Sequence, residues 1–272
     1  MSGVSSLPVR SATGSLVDFG RRILVLRGKG FALRVDLRST FVSIALAVLV
    51  IAVALAALAT GSYQLSIAEV ASALIGRDTG LVHVVVVEWR LPRVMATMVF
   101  GAALGVSGAM FQSLTRNPLA SPDVIGFSTG SYTGALVVIL VTGGSYATVA
   151  AGALTGGIVT ALAVYLLAYK RGVQGFRLII VGIAVSATLV SLNTWMILKA
   201  DLKVAMAAAS WGAGSLNGIT WEQVAVGGAV IIVLLALAAL LSRPMRQMEL
   251  GDDAAAAQGV RVGAVRLALI VV

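Results

Sequence analysis

Arg90 and Arg93 stand three residues apart on either side of Pro92, in the run Trp89-Arg90-Leu91-Pro92-Arg93. Paired guanidinium groups bind anions, either phosphate at a helix mouth or the carboxylates of a partner protein. A second group, Thr115-Arg116-Asn117-Pro118-Leu119-Ala120-Ser121-Pro122, ends a long uncharged run with two prolines that forbid smooth helix continuation. A third, Leu250-Gly251-Asp252-Asp253-Ala254, reads as the start of a short helix: carboxylates suit its first turn, alanines propagate it, and Gly259 can end it. Such a helix in a connector is a shape suited to docking. None of these groups is catalytic. There is no nucleophile and base in register, no G-x-x-x-x-G-K-[ST] phosphate loop, and the single histidine, His83, has no second ligand of its kind. No enzyme activity, cofactor or metal is expected.

The elements that carry these groups are apolar. The chain is 59% hydrophobic and 11% charged, with a mean hydropathy of +1.00 and no cysteine. Soluble domains carry about twice that charge, so the expected fold is an all-α polytopic transmembrane helix bundle. A bilayer core takes about 20 apolar residues per helix. Six full spans are expected, at residues 41–59, 94–114, 124–141, 146–167, about 177–198 and 222–241, and the run 267–272 begins a seventh. In the second span Gly101, Gly105 and Gly108 have the small-residue spacing that lets helix backbones approach closely. Gly126, Gly130 and Gly134 repeat it in the third. Between the first two spans, Ser66-x-x-Glu69 forms a capping box before Ile67, Val70, Ala71 and Leu74, which predicts a short amphipathic surface helix. Gln112 and Asn193 are the main large polar side chains within the spans. Ion-coupled carriers usually keep ionisable residues there despite a cost of about 2.5–3.5 kcal/mol each, so the energy for any transport is expected to come from outside the membrane.

The net charge of +9 has a topological rather than a nucleic-acid explanation, because the basic residues form no patch interleaved with aromatics. With the N-terminus inside, fifteen of the twenty lysines and arginines fall on inner segments and five on outer ones. The positive-inside bias therefore predicts a cytoplasmic N-terminus in a multi-pass inner-membrane protein, with Arg90 and Arg93 outside. Residues 1–38 are expected to be a basic cytoplasmic arm, solvated or forming a short helix on anionic lipid. Residues 39–272 form the membrane domain.

Arg90-Leu91-Pro92-Arg93, the Gly/Ser helix with Gln112, and Asn117-Pro118-Leu119-Ala120-x-Pro122 together resemble the FecCD/BtuC family of ABC-importer permeases. Leu250-Gly251-Asp252-Asp253 and Gly259-Val260-Arg261-Val262-Gly263 add to the resemblance. Within that family, residues 111–127 are worded most like the ferric enterobactin permeases.

The resemblance implies a ten-span permease subunit that passes ferric siderophore, heme or cobalamin inward. Its partners would be ABC ATPase subunits, a periplasmic or lipoprotein siderophore-binding protein, and a second permease copy or paralogue. It implies that Arg90 and Arg93 dock the binding protein. It places the cytoplasmic gate at Asn117, Pro118 and Leu119, with a second gate near Gly172 and Gly175. Leu250, Gly251, Asp252, Asp253, Ala254 and Gly259 would then meet the ATPase. Against ten spans, the run at 267–272 implies a cut seventh span and three absent ones. The alternatives are a heme or cobalamin permease, an ion-coupled secondary transporter, and a truncated remnant that inserts without transporting.

Overall fold

The computed structural model describes residues 23–28, 31–78, 80–169 and 175–272. Gly172 of the expected second gate, and residues 1–22 of the basic arm, lie outside the described residues. The chain divides into two compact units, residues 1–94 and 95–272.

The first unit opens with a two-stranded antiparallel hairpin, β1 (Ile23–Gly28) and β2 (Phe31–Asp36), in which Ile23 pairs with Asp36 and Gly28 with Phe31. Over residues 23–28 this differs from the short surface helix, one of the two alternatives expected for the arm. Six-residue runs rich in Val, Ile and Leu suit a strand as well as a helix, and local pairing decides between them. Asp36 then caps α1 (Leu37–Ala59), its carboxylate accepting from the Arg38 and Ser39 amides. The capping box at Ser66 forms as expected and starts α2 (Ile67–Leu74), with Ser66 N–H donating to Glu69 at 2.8 Å and Glu69 N–H to Ser66 Oγ at 3.3 Å. The Ser66 hydroxyl, donating to the Glu69 carboxylate at 2.7 Å, and next the Ser66 amide hold that carboxyl below its ordinary range. A small core of Leu58, Leu65, Val70, Ala73, Val85 and Val86 closes this unit.

One helical run then extends from Leu81 to Thr115, in three parts. α3 (Leu81–His83) leads into a π-helical segment, Val84–Arg90, and then α4 (Leu91–Thr115). Pro92 explains the wide segment. A proline ring collides with the carbonyl four residues back in a regular α turn and leaves it without a donor. Widening the preceding turn, so that Leu91 N–H donates to Val86 O, makes room for it, and Pro92 is fully buried.

In the second unit, a 3₁₀ turn (Pro122–Ile125) precedes α5 (Phe127–Thr142), which is followed by α6 (Tyr146–Ala168), α7 (Gly175–Lys199), α8 (Leu202–Ala213), α9 (Trp221–Glu249), α10 (Asp252–Ala257) and α11 (Val262–Val271). The bundle of apolar helices is the expected one, with five stretches among the described residues long and apolar enough to cross a membrane. Three boundaries differ from expectation. α5 has 16 residues, about 24 Å at 1.5 Å per residue, because left-handed glycines stand at both ends, Gly126 at φ 84° and Gly143 at φ 62°. α9 does not stop at 241 but runs on through Pro244 to Glu249. The connector after it is correspondingly shorter, and Arg266 lies inside α11 rather than ahead of an apolar run.

Glycine spacing is used unequally. α5 and α6 meet backbone to backbone: a Cβ on Gly130 would strike Thr160, one on Gly134 the Gly152 carbonyl, and one on Gly156 the Gly130 carbonyl. Gly126 is closed off by Ser186 Oγ. The expected close packing at Gly101, Gly105 and Gly108 is not made within the described chain. Nothing among the described residues lies within 4 Å of a Cβ at any of the three, so this face of α4 is open. Spacing permits close approach but does not supply the neighbour.

Candidate functional site

At the N-terminal side of α4 the two arginines have separate surroundings. Arg90 is partly buried, and its guanidinium donates to the Leu58 carbonyl at 2.7 Å and to the Tyr63 carbonyl. It thereby ties the end of α1 and the following loop to the π segment. Gly61, at φ 155°, lies so close that a Cβ there would be 2.6 Å from Arg90 Nη2. Arg93 is exposed. Arg90 thus holds the surface together locally, while Arg93 is the more outward-facing cation.

The other end of α4 is more elaborate. Asn117 N–H donates to Gln112 O at 3.1 Å and Arg116 N–H to Ser113 O at 3.2 Å, the paired bonds of a Schellman helix ending. Its left-handed position is held by Arg116, at φ 52°, the one described non-glycine residue with positive φ. Glycine is the ordinary occupant. The same motif recurs at the end of α10, where Gly259 N–H donates to Ala256 O and Val260 N–H to Ala255 O; there the left-handed residue is Gly259, at φ 87°. Asn117 Oδ1 then accepts the Leu119 amide at 3.0 Å, a local turn that leaves Leu119 89% exposed.

Arginine at 116 has a visible use. Its Nε donates to the Met248 carbonyl at 3.1 Å and its Nη2 to Asp252 Oδ1. From α11, Arg266 Nη2 reaches both Asp252 oxygens, at 3.0 and 2.9 Å, with the Arg266 side chain 8% exposed. Ser113 donates to Glu249 at 2.7 Å beside them. The Asn117-Pro118-Leu119 turn and the 250–259 segment, more than 130 residues apart in sequence, are therefore tied at one point. Burial, the largest single influence on Asp252, pushes its carboxyl up. The hydrogen bonds and charges of Arg266 and Arg116 outweigh that and hold it below its ordinary value of 3.8.

Within the 250–259 segment, Gly251 adopts φ 117°, Asp252 and Asp253 occupy the first turn of α10, Ala255 is buried, and Leu250 is 70% exposed. Ala254 lies in the same turn, on the partly buried side. Next to the clamp, a cavity of about 610 Å³ is lined by Ser107, Gly108 and Gln112 of α4, Asp123, and apolar side chains of α9 and α11. Gly175 begins α7. α8 seats on α5 through Tyr132, which stacks on Trp211 at 6.2 Å and donates to Ala208 O at 3.2 Å.

Sequence reading found Asp252 and the Asn117 turn but not the residues joining them. Two signals were available: a non-glycine residue ahead of Asn117-Pro118 where a helix must end, and Arg266 interrupting the apolar run 262–271.

A bundle of apolar helices, five of them long enough among the described residues to cross a bilayer, with a proline-broken turn clamped to a short connector helix, is the architecture of a multi-pass membrane protein. The FecCD transport family profile matches residues 48–272, and the chain belongs to that family. It is 51% identical over 215 residues to the ferric enterobactin transport system permease protein FepG of Escherichia coli strain K12, covering 79% of this chain and 65% of that protein. It is 36% identical over 253 residues to the achromobactin transport system permease protein CbrC of Dickeya dadantii, covering 91% and 72%. A solved structure described as an inward-facing conformation of a metal-chelate type ABC transporter superposes with a TM-score of 0.71 at 26% identity, covering 85% of this chain and 71% of that one. The chain thus spans about two thirds of the length of the FepG relative.

Proposed function

We propose that the chain forms the membrane-spanning permease of an ATP-driven importer that moves a ferric siderophore of the catecholate class from periplasm to cytoplasm. The observation that carries this is the 51% identity to a ferric enterobactin permease across 79% of the chain. The clamped turn and connector helix support it, because an importer driven from outside the membrane needs a route from a docking surface to its gate. The N-terminus is cytoplasmic. A binding protein docks at Arg93 with Arg90 setting the local surface, and Asn117, Pro118 and Leu119 form the inner gate. The segment 250–259 receives the ATPase, and a second permease copy or paralogue completes the channel.

Uptake of radiolabelled iron supplied as catecholate, hydroxamate or citrate chelate, by a knockout strain complemented with the gene, tests the reading. Restored catecholate uptake is expected. Restoration by heme or cobalamin alone, or uptake that follows a proton gradient without ATP, would replace it.

A further inference from the structure

Arg116 is placed where its backbone is unfavourable. A left-handed arginine costs about 1–2 kcal/mol relative to an ordinary conformation, and the chain uses glycine at the equivalent position of the next Schellman ending, Gly259. A helix that only needed to stop would stop equally well with glycine. What glycine cannot do is reach Met248 O and Asp252, and Arg116 reaches both. The second arm of the clamp is Arg266, almost wholly buried, which donates to both oxygens of the same carboxylate. One carboxylate therefore joins three elements: the turn after α4, the start of α10, and α11.

We propose that Arg116, with Asp252 and Arg266, is the link that passes movement of the 250–259 segment to the Asn117-Pro118-Leu119 turn. The inference rests on the permease reading above and adds residues to it. Arg116 and Arg266 are positioning residues: they touch neither cargo nor nucleotide. Their geometry makes the turn and the connector helix move as one body, so that displacement of α10 displaces Leu119.

Arg116→Gly tests this without threatening the fold, because glycine suits φ 52° and the helix ending survives. In the permease assembled with its ATPase and binding protein in proteoliposomes, thermal stability is expected to remain at the wild-type level or rise. Iron chelate imported per ATP hydrolysed is expected to fall at least about fivefold, the lower range of an energetic coupling between sites. Cysteines introduced as Ser113→Cys and Glu249→Cys in the Arg116→Gly background can be joined by a reducible methanethiosulfonate cross-linker, since the chain has no cysteine of its own. Joining them restores the import ratio, and reduction abolishes it again. Wild-type coupling in Arg116→Gly would overturn the proposal, as would a completed cross-link that restores nothing. Should the wild-type assembly import no iron chelate, the transport reading fails by itself. The link is then judged by amide exchange in residues 252–257, which must rise by about two- to fivefold in Arg116→Gly.

Discussion

Asp252 serves two arginines of unlike burial, and its substitutions should separate accordingly. Its contact with Arg116 is between side chains 43% and 42% exposed, and such pairs contribute at most about 1 kcal/mol. Arg266 is buried, and a buried charge that loses its partner is costly. Asp252→Asn is therefore expected to lower stability more than Arg116→Gly, by about 1–3 kcal/mol after discounting for the exposed carboxylate; denaturation of the purified chain followed by tryptophan fluorescence measures the difference. The pH dependence has a definite sign. A carboxyl held low when folded contributes stability above its unfolded value and loses it as pH falls through the folded one. The clamp should thus be intact through neutral pH and fail only below about 3.8, with Asp252→Asn flattening that acid limb of the melting curve. Arg90 offers a similar contrast. Arg90→Gln removes two donors from the Leu58 and Tyr63 carbonyls and is expected to cost about 1.5–3 kcal/mol, whereas Arg93→Glu is expected to act mainly on binding-protein affinity, read by co-sedimentation with nanodiscs.

Among the helices, the contrast lies between two glycine series that share the four-residue step. Gly134→Ala places a methyl on the Gly152 carbonyl and must separate α5 from α6, whereas Gly105→Ala meets nothing within 4 Å. The first is expected to lower stability by about 3 kcal/mol, at the upper end of overpacking costs, and the second to be neutral or slightly stabilising through helix propensity. Thermal melts in one detergent would compare them directly. Element identity was legible in sequence for local reasons. The capping box at Ser66, the glycine stop at Gly259, and the acidic start of α10 are decided within a few residues. The open face of α4 was not, because packing depends on a neighbour that spacing does not name. Nor was the clamp, since the partners Arg116 and Asp252 lie 136 residues apart and each alone resembles an ordinary surface charge. The β1–β2 hairpin escaped for a different reason: a short run of Val, Ile and Leu has no period that separates strand from helix.

For the molecule as a whole, orientation is the expectation with the widest consequences. The absence of native cysteines makes it directly measurable. Arg93→Cys is expected to react with an impermeant maleimide in spheroplasts. Leu119→Cys, at an 89% exposed position, is expected to react only in inverted vesicles. The reverse pattern would turn the bundle over and exchange the proposed docking and gating ends. The charge count made this expectation legible without any structure, because it depends on composition summed over segments rather than on any contact.

The π segment before Pro92 also changes how this part of the chain should be compared with others. A turn closed from Val86 to Leu91 holds one residue more than an α turn, so residues 81–83 and 91–94 belong to helical wheels about 100° out of phase. A single-residue gap opened within 84–90 when aligning this chain to a relative would then carry physical meaning: it would mark a relative whose helix stays regular there.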